Sequence, residues 1–405
     1  MRRSLLALTP LVLAACSNPV PFQNPVTGPI GVNRQGTGSH QLVSIHWRNP
    51  DELAALANSG LDVFAPDHRR QEIQGHLSTA QVVKLQQQGV QVRLQPQLAR
   101  VAEDRQAFPG GYMTYAQLKA RLQALAQAYP QLVRLEDVGD TWEKQQGKAD
   151  HDIWAVHLNG QQRAGKQVVL MTGGVHAREL APVEILMKLL DLLSSGYGKD
   201  PRITQLLNTR ELVIMPMVNV DGRVKVEQGA AWQRKNTHGS GIDLNRNFDN
   251  HWNYAGLNVP ASWKSGLMDP NSEIFSGSGP ASEPETQIVQ AMMQKLKPVV
   301  FVDMHSYGEL MLWPLGYSSA DIPQTPAYRE LFQKTMGPLG FQGGNSPQIL
   351  YPTTSTTRDY AYERLGAMSM TLEIGDDFRP SYQEVEQMWT KMNGPLLTIL
   401  EAKGL

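Results

Sequence analysis

Apolar positions along most of the chain fall into two patterns. Short runs have strand character, longer stretches have helical spacing, and Gly, Pro, Asn and Ser clusters separate them. Residues 41–96 give the order β-α-β-β-α-β. The first strand is "LVSIHW", and Asn49 and Pro50 open a helix over "PDELAALANS" that Gly60 ends. "LDVFA" and "EIQGHL" follow as strands. Ser78 and Gln81 have capping-box spacing for "TAQVVKLQQQ", Gly89 stops that helix, and "VQVRL" closes the unit. This order predicts a small α+β, ferredoxin-like domain, with no catalytic cluster of its own. Residues 97–111, ending "AFPGG", read as a linker. From 112 to 405 helix and strand alternate. A helix over "AQLKARLQALAQAY" precedes strands at "LVRLEDVG", "DIWAVHLN", "KQVVLMTG", "ELVIMPMV", "PVVFVDMH" and "SMTLEIG", and Pro182 starts a helix through "VEILMKLLDLL". The pattern predicts one α/β domain on a mixed, largely parallel sheet flanked by helices.

The N-terminus breaks this pattern. Arg2 and Arg3 precede an apolar run over 5–15 that is too short to span a bilayer, which describes a secretion signal. "LAAC", ending at Cys16, resembles the bacterial lipobox. That resemblance implies a lipoprotein signal peptide over 1–15, lipidation of Cys16 and attachment to a membrane in the cell envelope. The competing reading is an ordinary signal cleaved nearby, with an incidental thiol. Residues 16–40, rich in Pro, Gly and Asn, read as a flexible tether. Cys16 is the single cysteine, so an intramolecular disulfide and a Cys-based zinc site are both excluded. The 37 basic and 38 acidic side chains balance, with no basic stripe, which argues against a nucleic-acid partner.

Candidate chemistry gathers at strand ends. The segment "GGVHARELAPVE" (173–184) carries His176 and Glu179 just after the strand "KQVVLMTG". A lone His-x-x-Glu is a weak motif, and a Glu ahead of a helix is also explained by the helix dipole. Its surroundings change the reading. His305 ends the strand "PVVFVDMH", and Glu373 stands near the end of "SMTLEIG". In open α/β sheets, ligands bind beyond the carboxyl ends of strands. Two imidazoles and one carboxylate, His176, His305 and Glu179, leave a fourth zinc position open, as in catalytic zinc sites. Glu373 then stands as a general base for a water whose pKa zinc lowers toward ~7. The other eight histidines (His40, His46, His68, His76, His151, His157, His238 and His251) show no such placement and read as surface or satisfied polar groups.

Over residues 112–404 the chain resembles the zinc metallocarboxypeptidases of the carboxypeptidase A/B type. Four separated motifs carry the resemblance: "HARE", "HSY" (His305, Ser306, Tyr307), "DLNRNF" (243–248) and "TLEIG" (371–375). It implies a carboxypeptidase-like sheet of the eight-stranded type and one Zn2+ held by His176, Glu179 and His305. It implies that Asp243 steadies the His176 ring from outside, and that Asn245 and Arg246 grip the free C-terminal carboxylate of a peptide. Arg178, Ser306 and Tyr307 would contact the peptide, and Arg234 in "WQRKN" would face the oxyanion. The family places that arginine directly after the aromatic residue, whereas here Gln233 intervenes. Tyr351 would be the mobile tyrosine over the site, with Tyr360 and Tyr362 as competing choices. Arg358 falls where the family sets preference for the C-terminal side chain. As an unpaired cation in a closed pocket it would favour acidic C-terminal residues, and the competing reading pairs it with Asp359, Glu363 or solvent. The small domain resembles the family's inhibitory prodomains, with "AEDRQAFPGG" either cut or left intact.

These readings converge on a secreted, lipid-anchored zinc exopeptidase acting on peptide C-termini. The same metal core also suits an amidase or endopeptidase on cell-wall peptides, or a deacylase of acyl-amino acids. A third class is an inactive surface binding module, against which the complete ligand set with Glu373 argues.

Overall fold

The computed structural model describes residues 40–95, 108–161 and 165–405. Cys16, the signal and most of the tether and linker lie outside the described residues. Strands β1 (His40–His46), β2 (Val63–Asp67), β3 (Glu72–Ser78) and β4 (Val92–Leu94) form an antiparallel sheet in the order β2-β3-β1-β4. Helices α1 (Pro50–Ala57) and α2 (Thr79–Gln87) complete the expected β-α-β-β-α-β unit. The Asn49 side chain accepts the Glu52 N–H ahead of α1, and the Ser78–Gln81 capping box forms in both directions ahead of α2. Each satisfies backbone donors that a helix start otherwise leaves open. Val43, Ile45, Leu53, Leu56, Ile73, Leu77 and Leu85 make this unit's own core. The β2–β3 ladder is irregular between Phe64 and Asp67, where Ala65 takes φ +47°.

The second sheet has eight strands: β5 (Val133–Asp140), β6 (Asp152–Leu158), β7 (Gln167–Gly173), β8 (Arg210–Met215), β9 (Val300–His305), β10 (Leu310–Trp313), β11 (Gln342–Asn345) and β12 (Met368–Glu373). Their order is β11-β10-β12-β9-β7-β8-β6-β5. The centre, β12-β9-β7-β8, is parallel, and antiparallel pairs flank it on both sides. Strand β9 is buried at every residue, which is why its sequence is nearly continuous apolar rather than alternating. The sequence reading missed β10 and β11. "LMLW" is too short to show a period, and "QGGN" has the composition of a turn.

Around this sheet lie α3 (Tyr115–Ala128), α4 (Ala181–Gly196), α5 (Pro201–Thr209), α6 (Val220–Glu227), α7 (Pro284–Leu296), α8 (Thr325–Lys334), α9 (Thr357–Leu365) and α10 (Tyr382–Leu400). A capping box at Thr114–Gln117 starts α3, whose Leu118, Leu122 and Leu125 form the buried stripe of a surface helix. In α4, Leu186, Leu189, Leu190 and Leu193 are fully buried. Each leucine so placed stabilises the fold by roughly 1.5–3 kcal/mol relative to exposure. Helix α4 presses on the end of β7. A Cβ added at Gly173 would lie 2.6 Å from Leu186 Cδ1 and 3.2 Å from the Pro216 carbonyl oxygen. This close approach holds the turn after β7 against the sheet's carboxyl edge. At that edge Glu373 is the register partner of His305, and Gly173 that of Met304.

Candidate metal centre and cleft

His176 and Glu179 sit on the turn between β7 and α4, and His305 ends β9. Glu179 stands against both rings: Oε1 is 2.7 Å from His176 Nδ1, and Oε2 is 2.8 Å from His305 Nδ1. The two Nδ1 atoms lie 3.1 Å apart. All three side chains are buried, with donor atoms within 4.8 Å of one another. Two imidazole nitrogens and a carboxylate, converging at this spacing, fit a divalent transition metal of the zinc type. Each ring's far nitrogen meets a carboxylate. His176 Nε2 is 3.1 Å from Asp243 Oδ1, and His305 Nε2 is 2.8 Å from Asp303 Oδ2. Such partners keep the proton on Nε2 and leave Nδ1 free to ligate.

Electrostatics follow from this packing. Burial alone would raise the Glu179 pKa, but the two histidines outweigh it and hold the carboxyl well below its usual range. Burial likewise opposes charge on His305, and Asp303 and Glu179 outweigh it, so its pKa rises well above 6.5. A cation binding at Nδ1 replaces that proton. Glu373 is pushed up to about 7, chiefly by burial, with the negative Glu179 adding to it and His305 opposing. A bound cation opposite it draws this value back down.

The predicted cleft residues come together. His176, Glu179, Arg234, Asn245, Arg246, Ser306, Tyr307, Tyr351, Arg358 and Glu373 line one cavity. Despite Gln233, Arg234 reaches the centre: it donates to Asp243 Oδ2 at 2.9 and 3.1 Å, and its Nη1 lies 4.0 Å from Glu179 Oε1. Asn245 and Arg246 sit on a tight turn whose first N–H bonds Asp243 Oδ1 at 3.0 Å. Thr357 N–H donates to Asn245 Oδ1 at 3.0 Å. Of the three candidate tyrosines, Tyr351 alone lines the cavity. Tyr360 OH accepts from Gln294, and Tyr362 OH donates to Gln324.

One expectation needs correction, and a second residue is found engaged elsewhere. Arg358 is not an unpaired cation. It is buried, with Nη2 3.0 Å from Ser346 Oγ and Nε 3.3 Å from Asp359 Oδ1. Gly316 makes room for the pair, since a Cβ there would lie 2.5 Å from Asp359 Oδ2 and 2.9 Å from Arg358 Nη2. Arg178, expected to meet peptide, has its guanidinium taken by the small domain. Nη1 and Nη2 each donate to an Asp62 carboxylate oxygen at 2.7 Å, and the guanidinium stacks 4.2 Å over Phe378.

The small domain therefore reaches the cleft, through residues that the sequence reading did not single out. Phe64 packs on Phe378 and Tyr307, Tyr307 OH donates to Gln74 Oε1 at 2.9 Å, and Val63, Phe64 and Ala65 line the cavity. His76 stacks on Trp232 at 3.9 Å and 12°. Backbone bonds add to the seam: Gly266 N–H to Asn58 O at 2.8 Å and Glu273 N–H to Gly60 O at 3.1 Å. Nothing local marks Asp62, whose partner is 116 positions away. Asp303 was legible in principle, because positions i and i+2 of a strand share a face and so set it beside His305. A second His/carboxylate group, Glu143, His151 and Asp221, resolves into hydrogen bonds: Asp221 takes His151 Nδ1 and the Glu143 N–H, each at 2.8 Å.

Residues 118–393 match the zinc carboxypeptidase family of peptidases (M14), and the chain belongs to it. Its relatives include bovine (Bos taurus) carboxypeptidase O, 32% identical over 229 residues, which are 52% of this chain and 58% of that protein. A zinc carboxypeptidase of Saccharothrix mutabilis subsp. capreolus is 30% identical over 286 residues, 66% of this chain and 64% of the relative. The chain thus matches less than two thirds of the length of either. Among solved structures, carboxypeptidase A from Helicoverpa armigera superposes with TM-score 0.74 at 20% identity, covering 90% of this chain and 98% of that one. Thrombin-activatable fibrinolysis inhibitor gives 0.71 at 20% identity, covering 89% and 98%. These likenesses establish the carboxypeptidase-like fold. Among the described residues no helix is long and apolar enough to cross a membrane.

Proposed function

We propose that the chain is a secreted zinc carboxypeptidase that removes C-terminal residues from peptides. One observation carries the reading: His176 and Glu179 of the His/Glu/His donor set share a single cavity with Glu373, Arg234 and the Asn245–Arg246 turn, and His305 completes that set from beside it. His176 Nδ1, Glu179 and His305 Nδ1 would hold the zinc, which would supply Lewis acidity toward water and the scissile carbonyl. Arg246 and Asn245 hold the substrate's C-terminal carboxylate, Arg246 through its planar fork. Glu373 accepts the proton of the attacking water on its carboxylate and passes it to the leaving amine nitrogen. Arg234 donates N–H bonds to the oxygen that gains charge, and Asp243 fixes its orientation beforehand. Tyr351 covers the bound residue.

Arg358 sets a preference for acidic C-terminal side chains. Its nitrogens bond Asp359 at 3.3 Å, Ser346 at 3.0 Å and Thr371 at 3.5 Å, one bond each, so of its five N–H groups one on each terminal nitrogen is left for a substrate carboxylate. The intact small domain restricts access of longer peptides by occupying Arg178. Lipidation of Cys16 holds the enzyme at a membrane in the cell envelope. If so, the wild type fractionates with membranes and Cys16→Ser does not mature normally, and a soluble wild type with a free Cys16 thiol refutes the anchor. The central test compares a blocked dipeptide with its C-terminal amide, before and after chelation. The acid is cleaved and the amide is not, and the chelated protein is inactive. Equal cleavage of the amide would remove the exopeptidase reading in favour of an amidase.

A further inference from the structure

We infer that Asp303 is a positioning residue for the metal, holding His305 in the ligating orientation as Asp243 holds His176. The inference rests on the proposed ligand role of His305. Asp303 is fully buried in the middle of the parallel sheet. It lies two residues before His305 on β9, so both side chains leave the same face. Its Oδ2 meets His305 Nε2 at 2.8 Å and accepts Thr357 Oγ1 at 2.5 Å, and its Oδ1 accepts Thr172 Oγ1 at 2.7 Å. The carboxylate is thus pinned from β7 and α9 while it faces the ring. A histidine with its outer nitrogen so held cannot rotate about χ2 without breaking a buried, charge-assisted bond.

The two outer carboxylates are not equivalent. Asp243 shares its charge with Arg234, which donates to it twice. Among the described residues, the one cationisable side chain in ion-pair contact with Asp303 is His305 itself. Its charge therefore acts on that ring with less offset, making His305 the better-anchored donor. Asp303 also ties the metal side to the substrate side. Thr357, whose hydroxyl it accepts, gives its N–H to Asn245, and Asn245 Nδ2 stands 3.3 Å from His305 Nε2. A purely structural role for Asp303, as a shared acceptor for two threonines, would keep strand and helix together but leave the metal unaffected.

The test uses the full chain in three forms: wild type, Asp303→Asn and His305→Ala. Asp303→Asn keeps the shape and an acceptor for the ring, and the threonine hydroxyls can rotate to suit the amide. Zinc release to a chromophoric chelator is measured, together with the visible spectrum of the Co2+-substituted protein and the melting of the metal-free protein. In Asp303→Asn, zinc affinity falls by ~10–100-fold, the usual cost of losing an outer partner. The cobalt bands shift, and metal-free melting stays near wild type. Zinc affinity within twofold of wild type, with unshifted cobalt bands, overturns the inference. So does a lowered metal-free melting temperature with affinity unchanged. If His305→Ala retains full zinc, the ligand reading fails first. If it loses zinc while Asp303→Asn does not, the Asp303 assignment alone fails.

Discussion

Replacing Asp62 by Ala should open the cleft to longer peptides. Arg178 is 1% exposed and gives both ends of its fork to Asp62. Docked without that partner, the guanidinium would be a buried cation facing aromatic rings. Truncating one partner of a buried, hydrogen-bonded charge pair costs ~2–5 kcal/mol. Here burial opposes the Asp62 charge and Arg178 outweighs it, so part of the pairing already goes to desolvation. The stack on Phe378 also survives the substitution, and such cation–π contacts contribute ~0.5–2 kcal/mol. The lower half of the range therefore applies, ~2–3 kcal/mol, or a ~30–150-fold shift toward the undocked domain. The assay is kcat/KM of the uncleaved protein on a blocked dipeptide and on a hexapeptide with the same C-terminal residue. The ratio of long to short substrate should rise toward that factor. The dipeptide, seated between the Arg358 pocket and the metal ligands, should change little. An unchanged ratio in a variant that melts like wild type would show that the Asp62–Arg178 pair does not limit access.

The remaining predictions follow from single groups. Glu373→Gln should retain zinc and lose at least ~10²-fold in kcat, the ordinary yield of general-base catalysis; turnover near wild type would mean another group takes the proton. Arg358→Ile should abolish any preference for Glu over Phe at the substrate C-terminus, read as kcat/KM ratios, and an unchanged ranking would exclude Arg358 as the specificity group. Burial against Trp232 lowers the His76 pKa from the usual 6.5 to about 4, against the nearby Asp62 and with His40 and Arg178 adding to the effect. The proton thus binds better to the undocked domain. Docking should be strongest above pH 6.5 and weaken as pH falls toward 4, seen as faster hydrogen exchange over residues 63–66. His76→Gln should flatten that dependence, and a dependence unchanged in His76→Gln would assign it elsewhere.

How much of this was legible depended on whether the signal was local. The β-α-β-β-α-β order stood out because helix caps and glycine stops are short-range chemistry, as at Asn49, Ser78–Gln81 and Gly89. The centre of the large sheet showed as apolar runs because β7, β9 and β12 are buried on both faces. Strands β10 and β11 were invisible because four residues carry no period. In the cleft, His176, Glu179, His305 and Glu373 were found because strand-end placement and motif agree. Arg358 lines the cavity, but its partners Ser346 and Asp359 depend on how the loop before α9 closes. Asp62 and Trp232 were out of reach, since their roles exist only where two separately folded sheets meet.

His305 and Glu373 face each other across the parallel ladder of β9 and β12. The spacing of their backbones is therefore a property of strand pairing. An insertion or deletion within either strand would slip the register and turn each side chain to the opposite face. The groups proposed to meet the substrate hang instead on turns, Asn245 and Arg246 on one and Tyr351 on the stretch before α9. Those turns can change length or composition while the ladder stays as it is. The reaction and the choice of substrate are thus inherited through different kinds of mutation. A lineage can drift among peptides for as long as its strands keep count.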